Sequence, residues 1–144
     1  MKKYFLIMLG GTLGAILRFS LKNVQIFKYS GNIPINTLII NVTGSFVLSV
    51  LLTLSFGTWK LGNNIKLGLT VGFLGAYTTF STLCKETAGL LEHGSFISAA
   101  EYIAASVILG LAAVYVGVFL TQKTIALIKI VKFKELINTP ADID

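Results

Sequence analysis

Thr37, Asn41, Ser45 and Ser49 follow one another in steps of four inside an otherwise apolar stretch, which places them on one slowly drifting face of a helix. Hydroxyl and amide groups so spaced either hydrogen-bond a neighbouring helix or offer donors to something that passes between helices. Asn41 carries the heaviest demand, because its amide brings N–H donors and a carbonyl acceptor that all need partners. A second run, Thr78, Thr79, Ser81, Thr82, Lys85 and Glu86, is too polar to face hydrocarbon and must face protein or water. Phe80 lies within it and shares a helix face with Leu83. Its ring either packs or, through its positive edge, meets an anion that has lost part of its water. Arg18 reads first as an interfacial charge that snorkels to water, and alternatively as an anion attractor or lock at an entrance. Lys85 and Glu86 are neighbours and point different ways, and His93 beside Glu92 reads as an exposed loop residue. The sequence contains no His/Cys cluster with metal spacing, no nucleophile at a recognisable distance from a base, and no phosphate loop ending in Gly-Lys-Ser or Gly-Lys-Thr, so an enzyme is a weak reading.

The elements that must position these groups follow from composition. Of 144 residues 54% are hydrophobic and 12% charged, with a mean hydropathy of +0.81. A soluble domain usually carries about 25% charged residues to keep its surface wet, whereas four membrane helices of about 20 residues each match this apolar content. The net charge of +6 does not indicate nucleic acid, because the basic residues collect at segment ends and in the tail. The single cysteine, Cys84, excludes an internal disulfide and reads as a small packing residue. Lys2 and Lys3 before an apolar run resemble a signal peptide, but Arg18 and three further spans make the run a retained helix.

The first span runs from about Tyr4 to Leu21, with Gly10, Gly11, Gly14 and Ala15 allowing close approach of another helix. Asn23 to Pro34 reads as a loop, and the second span runs from about Asn36 to Phe56, anchored by Trp59 and Lys60 at the interface. The short Gly57–Asn64 connection makes spans two and three antiparallel neighbours. The third segment, Ile65 to Gly94, has 30 residues, a helix of about 45 Å against an apolar thickness of about 30 Å. It must be interrupted, and the candidate is Gly72 to Thr79, where two glycines and two threonines fall near the middle of the length, with the break itself expected over Gly75 to Thr79. Non-helical backbone at that depth must face protein or a wet cavity, and its freed carbonyls either coordinate a monovalent cation or bond to nearby hydroxyls and water. The fourth span covers about Phe96 to Thr121. Residues 1–122 thus form the four-span unit and 123–144 a tail, with Lys123, Lys129, Lys132 and Lys134 making a basic amphipathic stretch suited to the membrane surface and Asn138–Asp144 expected to be disordered. With the N-terminus inside, Lys2, Lys3, Lys60 and Lys66 oppose Arg18, Lys22 and Lys28. That near tie points to insertion in both orientations and hence an antiparallel dimer, with only the tail lysines tipping both termini inside.

Three motifs carry a resemblance. Gly10-Gly11-Thr12-Leu13-Gly14-Ala15-Ile16-Leu17-Arg18, then Asn36-Thr37-Leu38-Ile39-Ile40-Asn41-Val42-Thr43-Gly44-Ser45-Phe46, then Gly72-Phe73-Leu74-Gly75-Ala76-Tyr77-Thr78-Thr79-Phe80-Ser81-Thr82, resemble the Fluc/CrcB fluoride channels over three of the four spans. The resemblance implies an all-α, multi-pass protein of the cell membrane, four helices with a broken third, acting as a dual-topology antiparallel homodimer. It implies two fluoride pores and a central structural sodium ion (Na+) held by main-chain carbonyls of Gly75 and Thr78. It places the pore on Asn41, Phe80, Thr37, Ser81 and Thr82, with Tyr102 and Ser106 on the fourth helix and Arg18 and Glu86 toward the aqueous vestibules. The partners so implied are fluoride, the lipid bilayer and a second copy of the chain, with no nucleic acid.

One departure stands out: Leu83 occupies the position where the family carries a second pore phenylalanine. A leucine offers no polarised ring edge, so conduction must rely on Phe80, Asn41 and the hydroxyls, or on a heterodimer partner that supplies the second ring. The remaining alternatives are a non-conducting subunit of the same fold and a small four-helix multidrug-type transporter. The latter is expected to carry an acidic residue in its first helix, and this chain has none there.

Overall fold

The computed structural model describes the backbone of residues 1–24, 32–57 and 62–138, and the side chains of 1–24, 32–55 and 62–131. All regular structure among them is helical, as hydrocarbon requires of a chain that must satisfy its own backbone. Helix α1 spans Lys2–Asn23 and α2 spans Ile35–Gly57, starting directly after Pro34. The third segment comprises α3 (Asn63–Leu67), a π-helical stretch (Gly68–Leu74), α4 (Gly75–Tyr77) and α5 (Phe80–Glu92). Helix α6 spans Phe96–Asn138. Four segments, 2–23, 35–55, 63–92 and 96–131, are long and apolar enough to cross a membrane.

The third segment is broken, at Thr78 and Thr79, which take extended backbone angles (φ −76°, ψ 155° and φ −152°, ψ 114°). This is the far end of the expected window. Gly72 and Gly75 stay helical, because β-branched threonines favour extended backbone while these glycines lie within the helical run. The π-helical stretch has no counterpart in the sequence reading. It lies against α1, where a Cβ on Gly14 would run into the Phe73 carbonyl and one on Gly10 into that of Gly68. On the other side of the bundle α2 packs on α6, with Gly117 against Ser49 and Phe46.

A turn at His93–Ser95 joins α5 to α6. Gly94 adopts φ 72°, so that the Gly94 and Ser95 N–H groups close back on the Leu91 and Leu90 carbonyls (3.0 and 2.9 Å) and end the helix. His93 is exposed there, as expected. Helix α6 then continues past Thr121 without interruption. Its 43 residues measure about 65 Å, roughly twice the hydrocarbon thickness. The expected tail is therefore a direct extension of the fourth span as far as Asn138, since no Gly or Pro follows Gly117 until Pro140. Lys28, Trp59 and Lys60, and residues 139–144 of the expected disordered end, lie outside the described residues.

The core of the single chain is small, built on Ile40, Leu74 and Tyr77, with Tyr102 and Thr37 also buried. Only 6% of the most apolar stretches of α1 and α6 is buried, so most of their large side chains face outward from the single chain. Cys84, expected to pack, is instead exposed on α5 beside Phe80, Ser81 and Lys85.

Candidate functional site

The polar face of α2 divides between two neighbours. Thr37 and Asn41 face α5, while Ser49 and Ser45 lie against the glycines of α6. Asn41 clamps the break: its Nδ2 donates to the Thr79 carbonyl (3.0 Å) and its Oδ1 accepts from the Thr79 N–H (2.8 Å). A side-chain amide thus takes the place of a peptide group and satisfies backbone that the break would leave bare. One Nδ2 hydrogen of Asn41 remains outside this clamp.

Thr79 is also the N-cap of α5. Its Oγ1 accepts from the Thr82 N–H (3.2 Å) and lies 3.0 Å from Thr82 Oγ1 and 3.2 Å from Ser81 Oγ. Four polar side chains, Asn41, Thr79, Ser81 and Thr82, are therefore gathered at the break. Beside them Gly44 gives room for Thr78, whose methyl and the Tyr77 ring occupy the space a Cβ would need. Thr43 and Tyr77 share a hydrogen bond of 2.9 Å nearby.

The break also redirects two backbone donors. In an unbroken helix the Thr79 N–H would serve the Gly75 carbonyl and the Thr82 N–H the Thr78 carbonyl. Here the first goes to Asn41 and the second to Thr79 Oγ1. The Gly75 and Thr78 carbonyls are hard oxygen donors of the kind that suit a hard cation, and Gly75 is exposed on the chain surface. Among the described residues no group of three or more His, Cys, Asp or Glu side chains is arranged to hold a metal.

Glu86 is the centre of the second cluster. Its Oε1 accepts from Thr37 Oγ1 (3.0 Å) and pairs with Lys22 Nζ (3.2 Å), and its Oε2 accepts from the Tyr102 hydroxyl (2.8 Å). The carboxylate lines a cavity of about 330 Å³ with Asn32, Pro34, Leu90, His93 and Ser95. Thr37 lies one turn from Asn41 on α2, and Glu86 one turn from Thr82 on α5, so a polar row runs from the cavity to the break.

The remaining expected residues are less engaged. Phe80 is 78% exposed, Leu83 is half-buried, and Ser106 Oγ donates to its own helix at the Tyr102 carbonyl (2.7 Å). Arg18 is half-buried on α1, and it is Lys22, one turn further on, that reaches Glu86. Sequence reasoning missed Thr79 and Lys22 as site residues. Thr79 had a signal, a threonine opening the helix after the break, whereas nothing local links Lys22 to Glu86.

Comparison with known proteins agrees with this architecture. Residues 5–118 match the family described as CrcB-like protein, Camphor Resistance (CrcB). A protein of Dehalococcoides mccartyi named fluoride-specific ion channel FluC is 39% identical over 120 residues, covering 83% of this chain and 92% of the relative. A Methylococcus capsulatus protein of the same name is 43% identical over 119 residues, covering 83% of this chain and 52% of its own length. A Staphylococcus aureus protein named fluoride-specific ion channel FluC 1 is 38% identical over 116 residues, covering 81% of this chain and 93% of the relative.

Proposed function

This chain belongs to the CrcB-like family, and from that premise we propose that it is a passive, fluoride-selective channel of the cell membrane. The observation that carries the reading is the polar row from Glu86 and Thr37 to Asn41, Thr79, Ser81 and Thr82, set among apolar spans. Fluoride is small, holds its water tightly and accepts strong hydrogen bonds. Hydroxyls and an amide N–H at close range replace that water, and a narrow passage rejects larger anions. Such donors carry no net charge, so selectivity does not depend on a fixed cation that would draw chloride equally. The reading contains no covalent step and hence no enzyme.

The conducting unit of this reading is an antiparallel homodimer with two pores. Val71, Gly75, Phe80, Ser81 and Lys85 are exposed along one chain, and a broken backbone with hydroxyl and ammonium groups does not face lipid. A second copy covers them, and the near tie in flanking charge allows it to insert the other way up. Two chains then bring the Gly75 and Thr78 carbonyls together around a structural sodium ion, whose positive potential steadies the break. Tyr102 and Ser106 line the fourth-helix side, Phe80 supplies a ring edge toward the pore, and Arg18 stands at the vestibule.

Leu83 favours a second reading, in which this chain conducts only beside a partner that carries the missing ring. Fluoride efflux from liposomes holding the purified protein, read with a fluoride electrode and a chloride control, decides between them. Fast fluoride efflux without chloride efflux is expected. Folded dimer that passes neither ion would sink the homodimeric channel.

A further inference from the structure

Glu86 receives one side chain from each of the other three membrane segments: Lys22 of α1, Thr37 of α2 and Tyr102 of α6. It lies where the cavity meets the polar row, so its charge acts on whatever ion moves between the two. Thr37 and Tyr102 fill lone pairs of the carboxylate but bring no charge. An uncompensated carboxylate there would repel an anion approaching the donors. Lys22 Nζ, at 3.2 Å from Oε1, is the cation at ion-pair distance, and its side chain is 47% exposed against 18% for Glu86. Water on one side and the carboxylate on the other leave the ammonium little packing to do.

We propose that Lys22 is a positioning residue for anion passage: it cancels the charge of Glu86 at the cavity end of the row and holds the carboxylate as a neutralised acceptor for Thr37 and Tyr102. The inference rests on the channel reading above. The other charged groups nearby do not substitute for it. Lys85 is exposed on α5 next to Glu86 in sequence and so points elsewhere, and Glu92 is exposed about one and two-thirds turns further along the helix. His93 lines the cavity but its Nδ1 is bound to the Gly89 carbonyl at 2.7 Å.

The test is fluoride efflux from liposomes by wild type, Lys22→Gln and Lys22→Arg, with initial rates read at about 0.1 M and about 1 M impermeant salt, where the screening length falls from about 10 Å to about 3 Å. Lys22→Met, which keeps the aliphatic stem, serves as a second neutral variant. Lys22→Gln and Lys22→Met are expected to slow efflux about three- to tenfold at low salt, a single exposed charge acting at several ångströms. High salt should remove most of that deficit, and Lys22→Arg should run as wild type. Neutral variants that match wild type at low salt overturn the inference and leave the channel reading standing. A deficit that salt does not reduce also overturns it, since that is the mark of lost packing. A wild-type protein that passes no fluoride at either salt overturns the channel reading and this inference with it.

Discussion

Replacing Asn41 with alanine removes two hydrogen bonds at once, Nδ2 to the Thr79 carbonyl at 3.0 Å and the Thr79 N–H to Oδ1 at 2.8 Å. The two losses are unequal. As the residue that caps α5, Thr79 has a carbonyl that still accepts the first bond of that helix, but its N–H is left without a partner at a position only 7% exposed. A lost bond costs about 0.5–1.5 kcal/mol and a buried orphan donor about 1–3 kcal/mol, so the variant should be about 2–4 kcal/mol less stable. The same change takes one donor from the polar row and loosens the residue that gathers Ser81 and Thr82. A disturbance of only about 1.4 kcal/mol at the conduction barrier is a tenfold change in rate. Asn41→Ala is therefore expected to lower both the melting temperature in detergent and the fluoride efflux per reconstituted folded chain, the latter at least about tenfold. Unchanged stability would refute the clamp. Lowered stability with wild-type efflux per reconstituted folded chain would keep the clamp and refute the place of Asn41 in the pathway.

Close contact between α1 and the π-helical stretch predicts a sharp contrast between neighbouring glycines. Gly14→Ala should lose most folded protein, because its Cβ meets the Phe73 carbonyl, while Gly11→Ala, with the nearest atom 3.9 Å away, should elute and melt as wild type; equal behaviour would contradict the packing. Leu83→Phe supplies the second ring that the resemblance leads one to expect and should speed fluoride efflux several-fold in the same liposome assay, whereas an unchanged rate would mean that the proposed pore does not use a second ring. The proposed sodium site predicts that exchange of sodium for N-methylglucamine on both sides slows efflux and weakens the proposed dimer on size-exclusion chromatography. Protein that keeps its rate and its elution after exhaustive sodium removal would refute the proposed cation at the Gly75 and Thr78 carbonyls.

The sequence by itself determined the class of this protein, because a bilayer constrains composition and length before it constrains contacts. Apolar runs of about 20 residues must be helices, a 30-residue run must be interrupted, and Thr37, Asn41, Ser45 and Ser49 must turn away from lipid. Each of those statements concerns one segment and its solvent, which local periodicity encodes. The tertiary structure alone decided how segments meet. It placed the break at Thr78 and Thr79 and used Gly10 and Gly14 to seat α1 on a π-helical stretch, which no local pattern announced. It gave Asn41 a peptide group as partner and brought Lys22 to Glu86, residues far apart in the chain. Such pairings depend on the crossing and register of whole helices, and backbone-to-backbone contact at glycines sets these. A lysine near the end of a span reads in sequence as an interfacial anchor; only its distance to a carboxylate on another helix makes it part of a site.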